Sequence, residues 1–181
     1  MEPLTPTELY VRQFWPNQTD GIDESAATYV ARMRRDLLPN WPEEVLVEWF
    51  HRHKHHLEDY AFLKYERFSF ERVTFQTNDV PGLEAFLDPL FCQNPLDITQ
   101  RAKMGSWLAQ YMLKNGTWNT PIILPKNEQQ ELRSPAGKQL GSPYHLLEGH
   151  NRLCFLIGMR EMETAIDKHD VWLVTIDSIS D

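Results

Sequence analysis

Midway through this chain the spacing of apolar residues changes period. Between Trp41 and Leu63, the residues Val45, Leu46, Trp49, Phe50, Leu57, Tyr60 and Ala61 recur at helical intervals and predict one long helix with an apolar stripe. From Arg67 to Thr77 (RFSFERVTFQT), Phe68, Phe70, Val73 and Phe75 alternate with polar residues, apart from one slip of phase. That pattern predicts a strand with a bulge. A helical stripe cannot settle as a strand, so the chain should divide near residue 66. The expectation is an α+β protein: a mainly helical extension over 1–66, then a mixed domain over 67–181. So aromatic a third helix should not stand alone in water.

Shorter signals fill in both regions. Thr5–Phe14 (TPTELYVRQF) opens with the residues of a helix cap. Glu24–Leu38 is a second helix, entered from Asp23 and closed by Pro39. Val80–Phe91 is a short helix or irregular turn, and Ile98–Lys114 a helix opened by Asp97 and stopped by Asn115-Gly116. Thr120–Leu124 (TPIIL) is a short buried strand, followed by the polar, turn-rich stretch Lys126–Pro143. A strand over Tyr144–Leu147, a helix over His150–Met159 and a strand over Val171–Ile176 complete the expected order.

The junction Tyr144–Gly158 (YHLLEGHNRLCFLIG) holds the densest chemistry. A helix start carries unpaired N–H groups and about half a positive charge, so it attracts anions. Gly149 permits a sharp turn and close approach of a ligand. Helical side chains lean toward the N-terminus, so Arg152 can fold back and offer its guanidinium to a phosphate. His150 can donate a hydrogen bond or move a proton. Glu148 repels an anion there unless it holds magnesium, acts as a base or pairs with Arg152. A strand-to-helix turn with a salt-bridged Glu/Arg pair also occurs without any ligand.

The order helix, Gly116, the strand TPIIL, a loop, YHLLEGHNRL, a helix and VWLVTI resembles the ParB N-terminal/sulfiredoxin-like superfamily over roughly Phe68–Ile176. The signature in this chain is Glu148-Gly149-His150-Asn151-Arg152. The resemblance implies a small mixed sheet with helices and a nucleotide-phosphate site. Gly149, His150 and Arg152, with Asn151 between them, would contact a nucleotide triphosphate, ATP or CTP, with magnesium. Apart from the resemblance, Lys126 and Arg133 flank the long loop and could reach the nucleotide's outer phosphates, or stand as exposed solvated charges. Glu148 and His150 would be the groups able to do chemistry. Histidine at position 150, where the sulfiredoxin pattern has cysteine, argues against peroxiredoxin repair.

Composition frames the alternatives. The 181 residues are 41% hydrophobic, enough for a real core, and carry a net charge of -8. That charge argues against nucleic acid as the main partner and suits a basic protein. A second expectation is therefore a non-catalytic immunity protein or antitoxin that covers a basic toxin such as a nuclease. A third is a DNA or RNA modifier working through the same cleft. Cys92 and Cys154 match no metal or redox spacing, and reduced thiols in the cytoplasm are the simplest expectation. The start resembles no signal peptide, and no apolar stretch approaches a membrane span. His51 and His55, four apart in His51-Arg52-His53-Lys54-His55-His56, have a zinc-compatible spacing but no evident further ligands, so a solvated helix face is expected and no metal. His55 and Lys54 could equally meet an acidic partner.

Overall fold

The computed structural model describes residues 3–86 and 97–177. The protein is α+β, and it forms two compact units, Met1–Phe70 with Ile176–Asp181, and Glu71–Thr175.

The first unit opens with α1 (Pro6–Arg12). The Thr5 side chain accepts the Glu8 N–H and the Glu8 side chain accepts the Thr5 N–H, the capping box expected from the sequence. A hairpin of β1 (Gln18–Thr19) and β2 (Ile22–Asp23) follows, turning on Asp20-Gly21. Asp-Gly is a strong hairpin signal, yet the helical reading of this region passed over it. Helix α2 (Ala26–Asp36) starts later than expected because Ser25, not Asp23, caps it. Asp23 instead holds Lys54, with Nζ–O distances of 2.6 and 2.7 Å.

The long helix expected over Trp41–Leu63 is broken. Helix α3 (Glu43–Val45) widens into a π turn, Leu46–His51, and a 3-10 helix covers Lys54–Leu63. The break at Arg52-His53 falls where the apolar stripe is interrupted by His53 and Lys54. No buried apolar side chain holds that turn, and the Lys54 ammonium is drawn to Asp23.

Aromatic rings fill the core of this unit. The Trp41 ring lies 4.7 Å from Phe50, 5.8 Å from Phe68 and 4.6 Å from Phe70, centroid to centroid. Trp49, Phe50 and Tyr65 are all buried. The aromatic residues around the third helix are thus core, and they bury one another within the unit.

The second unit is built on a three-stranded sheet of order β3-β5-β4: β3 (Phe68–Gln76), β4 (Ile122–Pro125) and β5 (Lys168–Ile176). Strands β4 and β5 are parallel, Ile122 against Val171 and Pro125 against Val174. All four residues of β4 are buried, as a short continuous apolar run requires. The helix expected over Ile98–Lys114 is two: α4 (Asp97–Lys103) and α5 (Trp107–Asn115), with Ser106 capping the second through the Ala109 N–H. Gly116 ends α5 at φ +72°, and a Cβ there would lie 2.5 Å from Ile166 Cγ2. Helix α6 (His150–Glu161) connects the parallel strands, with Leu153, Leu156 and Met159 in the core and Arg160 Nη2 bound to the carbonyls of Thr77 and Val80.

Of Val80–Phe91, Leu83–Ala85 form a 3-10 turn, and residues 87–91 lie outside the described residues. Cys154 is buried and disulfide-bonded, which departs from the expected reduced thiol; Cys92 lies outside the described residues. No described helix is long and apolar enough to cross a membrane.

Replacing Trp41 with Ala removes the ring on which Trp49, Phe50, Tyr65, Phe68 and Phe70 converge. Urea denaturation should show a loss of about 3–5 kcal/mol. A loss below about 1 kcal/mol would mean that this aromatic cluster does not hold the unit together.

Candidate functional site

The segment leading into the junction lies antiparallel against β4. The His145 N–H donates to Pro125 O (3.1 Å), the Leu147 N–H to Ile123 O (3.0 Å), and the Ile123 N–H to Glu148 O (3.0 Å). Lys126 bridges Tyr144 and Ile123 bridges Glu148, so three steps on β4 face four on this segment. The extra residue is a bulge, and the strand expected over Tyr144–Leu147 is reduced to isolated bridges.

Gly149 follows at φ +103° and starts α6 without a side-chain cap. A Cβ on it would meet Ile122 Cγ2 at 2.5 Å and Arg152 Nε at 3.1 Å. Glycine is therefore demanded twice, by the left-handed backbone and by the closeness of β4. The same distances place the Arg152 guanidinium back over the bend, as expected for a side chain in the first turn of a helix.

Arg152 and Glu148 pair there. Nη2 lies 3.3 Å from Oε1, and the two side chains are 9% and 12% exposed. Of the three roles open to Glu148 on sequence grounds, the structure shows the ion pair. Little water screens it, and a charge left alone at this depth is costly. His150 sets its ring against Phe86, 5.6 Å between centroids, and Asn151 is exposed.

Lys126 is not brought to the turn. It lies just past the end of β4, three residues on from Ile123, roughly 10 Å at strand spacing, and its Nζ faces Glu71 Oε2 at 3.9 Å. Arg133 stays within its own loop, its Nη1 3.5 Å from Gly137 O. A hollow of about 320 Å3 opens at the far end of α6, lined by Gln76, Thr77, Asn78, Arg160, Glu163 and Asp167. The Gly149 turn does not border it.

The histidine run does not form a solvated helix face. The helix breaks between His51 and His55, His51 Nε2 is 2.8 Å from Glu24 O, and His55 packs on Trp15. Lys54 is buried on Asp23, so it does not present its charge to a partner. Among the described residues, no three His, Cys, Asp or Glu side chains gather as a metal site.

His145 went unnoticed in the sequence, although it lies inside the quoted junction. It is fully buried, and its Nδ1 accepts the Gly141 N–H at 3.2 Å, so the ring serves as a neutral acceptor. Burial first, then the nearby His150 and Lys138, hold it down to about 4. The unfolded chain takes up this proton near pH 6.5 and the folded one resists it, so stability is full above that value and falls as pH drops toward 4. His169, also lowered by burial, acts in the same direction.

Urea denaturation at pH 7 and pH 5 should differ by about 2 kcal/mol on account of His145. His145→Gln should flatten that dependence, and an unchanged slope in the variant would remove His145 as its cause. Glu148→Gln should cost about 3 kcal/mol at neutral pH, because it removes the carboxylate charge that faces the buried Arg152 guanidinium. A neutral outcome would show that the pair is dispensable.

Comparison with protein-family models, curated proteins and solved structures returned no match for this chain.

Proposed function

We propose that the Gly149 turn binds the phosphates of a nucleotide triphosphate, ATP or CTP with magnesium, and that the region 67–181 is a ParB/sulfiredoxin-like domain. The observation that carries this reading is a guanidinium lying back across a tight bend, at a helix start that no side chain caps. The βαβ unit of β4, α6 and β5 supports the second half of the reading.

The buried ion pair suggests how binding proceeds. A phosphate arriving at the bend exchanges with Glu148 on Arg152, so the guanidinium keeps an anionic partner and no charge is left bare. The released carboxylate is then a ligand for magnesium, which commonly takes one or two carboxylates together with phosphate oxygens. The first-turn amides of Gly149, His150 and Asn151 supply further donors. His150, at the rim against Phe86, is the group placed to move a proton if turnover follows.

Thermal melting with millimolar ATP, CTP, GTP or ADP and magnesium tests the reading. A triphosphate at about 100 times its Kd adds roughly 2.7 kcal/mol and raises Tm by several degrees. Arg152→Ala should lose the shift while equilibrium dialysis confirms the loss of bound nucleotide. No shift and no retained nucleotide with any of the four would overturn the assignment.

A further inference from the structure

The corner between α4 and α5 carries a surface that the Gly149 turn does not use. Trp107 is 62% exposed and Met104 72%, both unusual for residues of their size. Trp107, Gln110, Tyr111 and Lys114 follow one another at helical intervals and share one face of α5. The rings of Trp107 and Tyr111 lie 5.4 Å apart and tilted by 36°. The corner is fixed: the Ser106 N–H donates to Arg101 O at 2.9 Å, and Gln110 Nε2 to Ala102 O at 3.0 Å. Those bonds hold the backbone of Arg101 and Ala102 to the first turn of α5, and Arg101, Lys103 and Lys114 are all exposed.

Charge is segregated here. From Ile98 to Asn119 there is no Asp or Glu, but Arg101, Lys103 and Lys114 are present, in a chain whose net charge is -8. Asp97 opens α4 one turn before Arg101, and at the Thr99 end Thr99 Oγ1 meets Met162 Sδ at 3.8 Å, next in sequence to Glu161 and Glu163. That is one turn from Lys103. A basic, aromatic strip on an otherwise acidic protein suits a partner that offers flat π faces and regular negative charge together. Single-stranded nucleic acid does so, whereas an acidic peptide supplies only the charge.

We propose that the α4–α5 corner binds single-stranded nucleic acid, with bases stacking on Trp107 and Tyr111 and phosphates on Arg101, Lys103 and Lys114. One Gln110 amide N–H is tied to Ala102, and the stripe offers mainly ring faces and positive charge. Recognition through base faces and phosphates alone is tolerant of sequence and treats DNA and RNA alike.

Fluorescence anisotropy with labelled dT and rU oligonucleotides of equal length, on the full chain in about 50 mM salt, tests this. Both should bind with similar affinity, weakening steeply as salt rises. Trp107→Ala should weaken binding about tenfold with Tm unchanged, since the side chain is largely exposed. Lys114→Glu should weaken it and flatten the salt dependence. Absence of binding, a strict preference for one oligonucleotide, equal binding of poly-glutamate, or an unaltered Trp107→Ala affinity would overturn the proposal. None of these readouts involves Arg152, so either assignment can fail without the other.

Discussion

The backbone bend at Gly149 decides what the neighbouring charges can touch. Ile122 of β4 presses so near that no side chain fits, and the chain escapes by a left-handed residue. Helix α6 therefore starts directly over the sheet, and its first-turn arginine has nowhere to lean but back across the turn it has just left. Glu148, one residue before the bend, is anchored by its carbonyl to Ile123, so its carboxylate meets that arginine. Packing against a strand thus fixes an electrostatic arrangement. The proposed phosphate site is a use of that arrangement rather than an addition to it.

Features that carry their own local chemistry were legible in the sequence. The Thr5/Glu8 capping box, the left-handed end of α5 at Gly116, and the alternation that makes β3 each need only near neighbours to form. What the sequence concealed depends on distant partners. The stripe from Val45 to Ala61 is truly periodic, yet its middle turn is polar, and Asp23 from the hairpin claims Lys54. The break between α4 and α5 was readable from Gly105-Ser106, a stop followed by a cap, but the apolar pattern ran across it.

The candidate site was legible in the same uneven way. Arg152 folds back as its place in the first turn implies, and Glu148 takes one of the three roles that its position allowed. Lys126 was drawn in by its place beside the long loop, and its ammonium faces Glu71 instead. His145 lay in plain sight, but it is buried in one run with Leu146 and Leu147, so no alternation marks it. Net charge is an average over the chain, and a total of -8 still leaves the stretch from Ile98 to Asn119 without an acid.

The central claim is that the amides and guanidinium around Gly149 receive phosphate. Backbone NMR of the 15N-labelled protein addresses those atoms directly, residue by residue, as Mg-ATP or Mg-CTP is added. The largest displacements should fall at Gly149, His150, Asn151 and the Arg152 side chain, saturating together. Saturable displacements elsewhere, with those four signals unmoved, would contradict it.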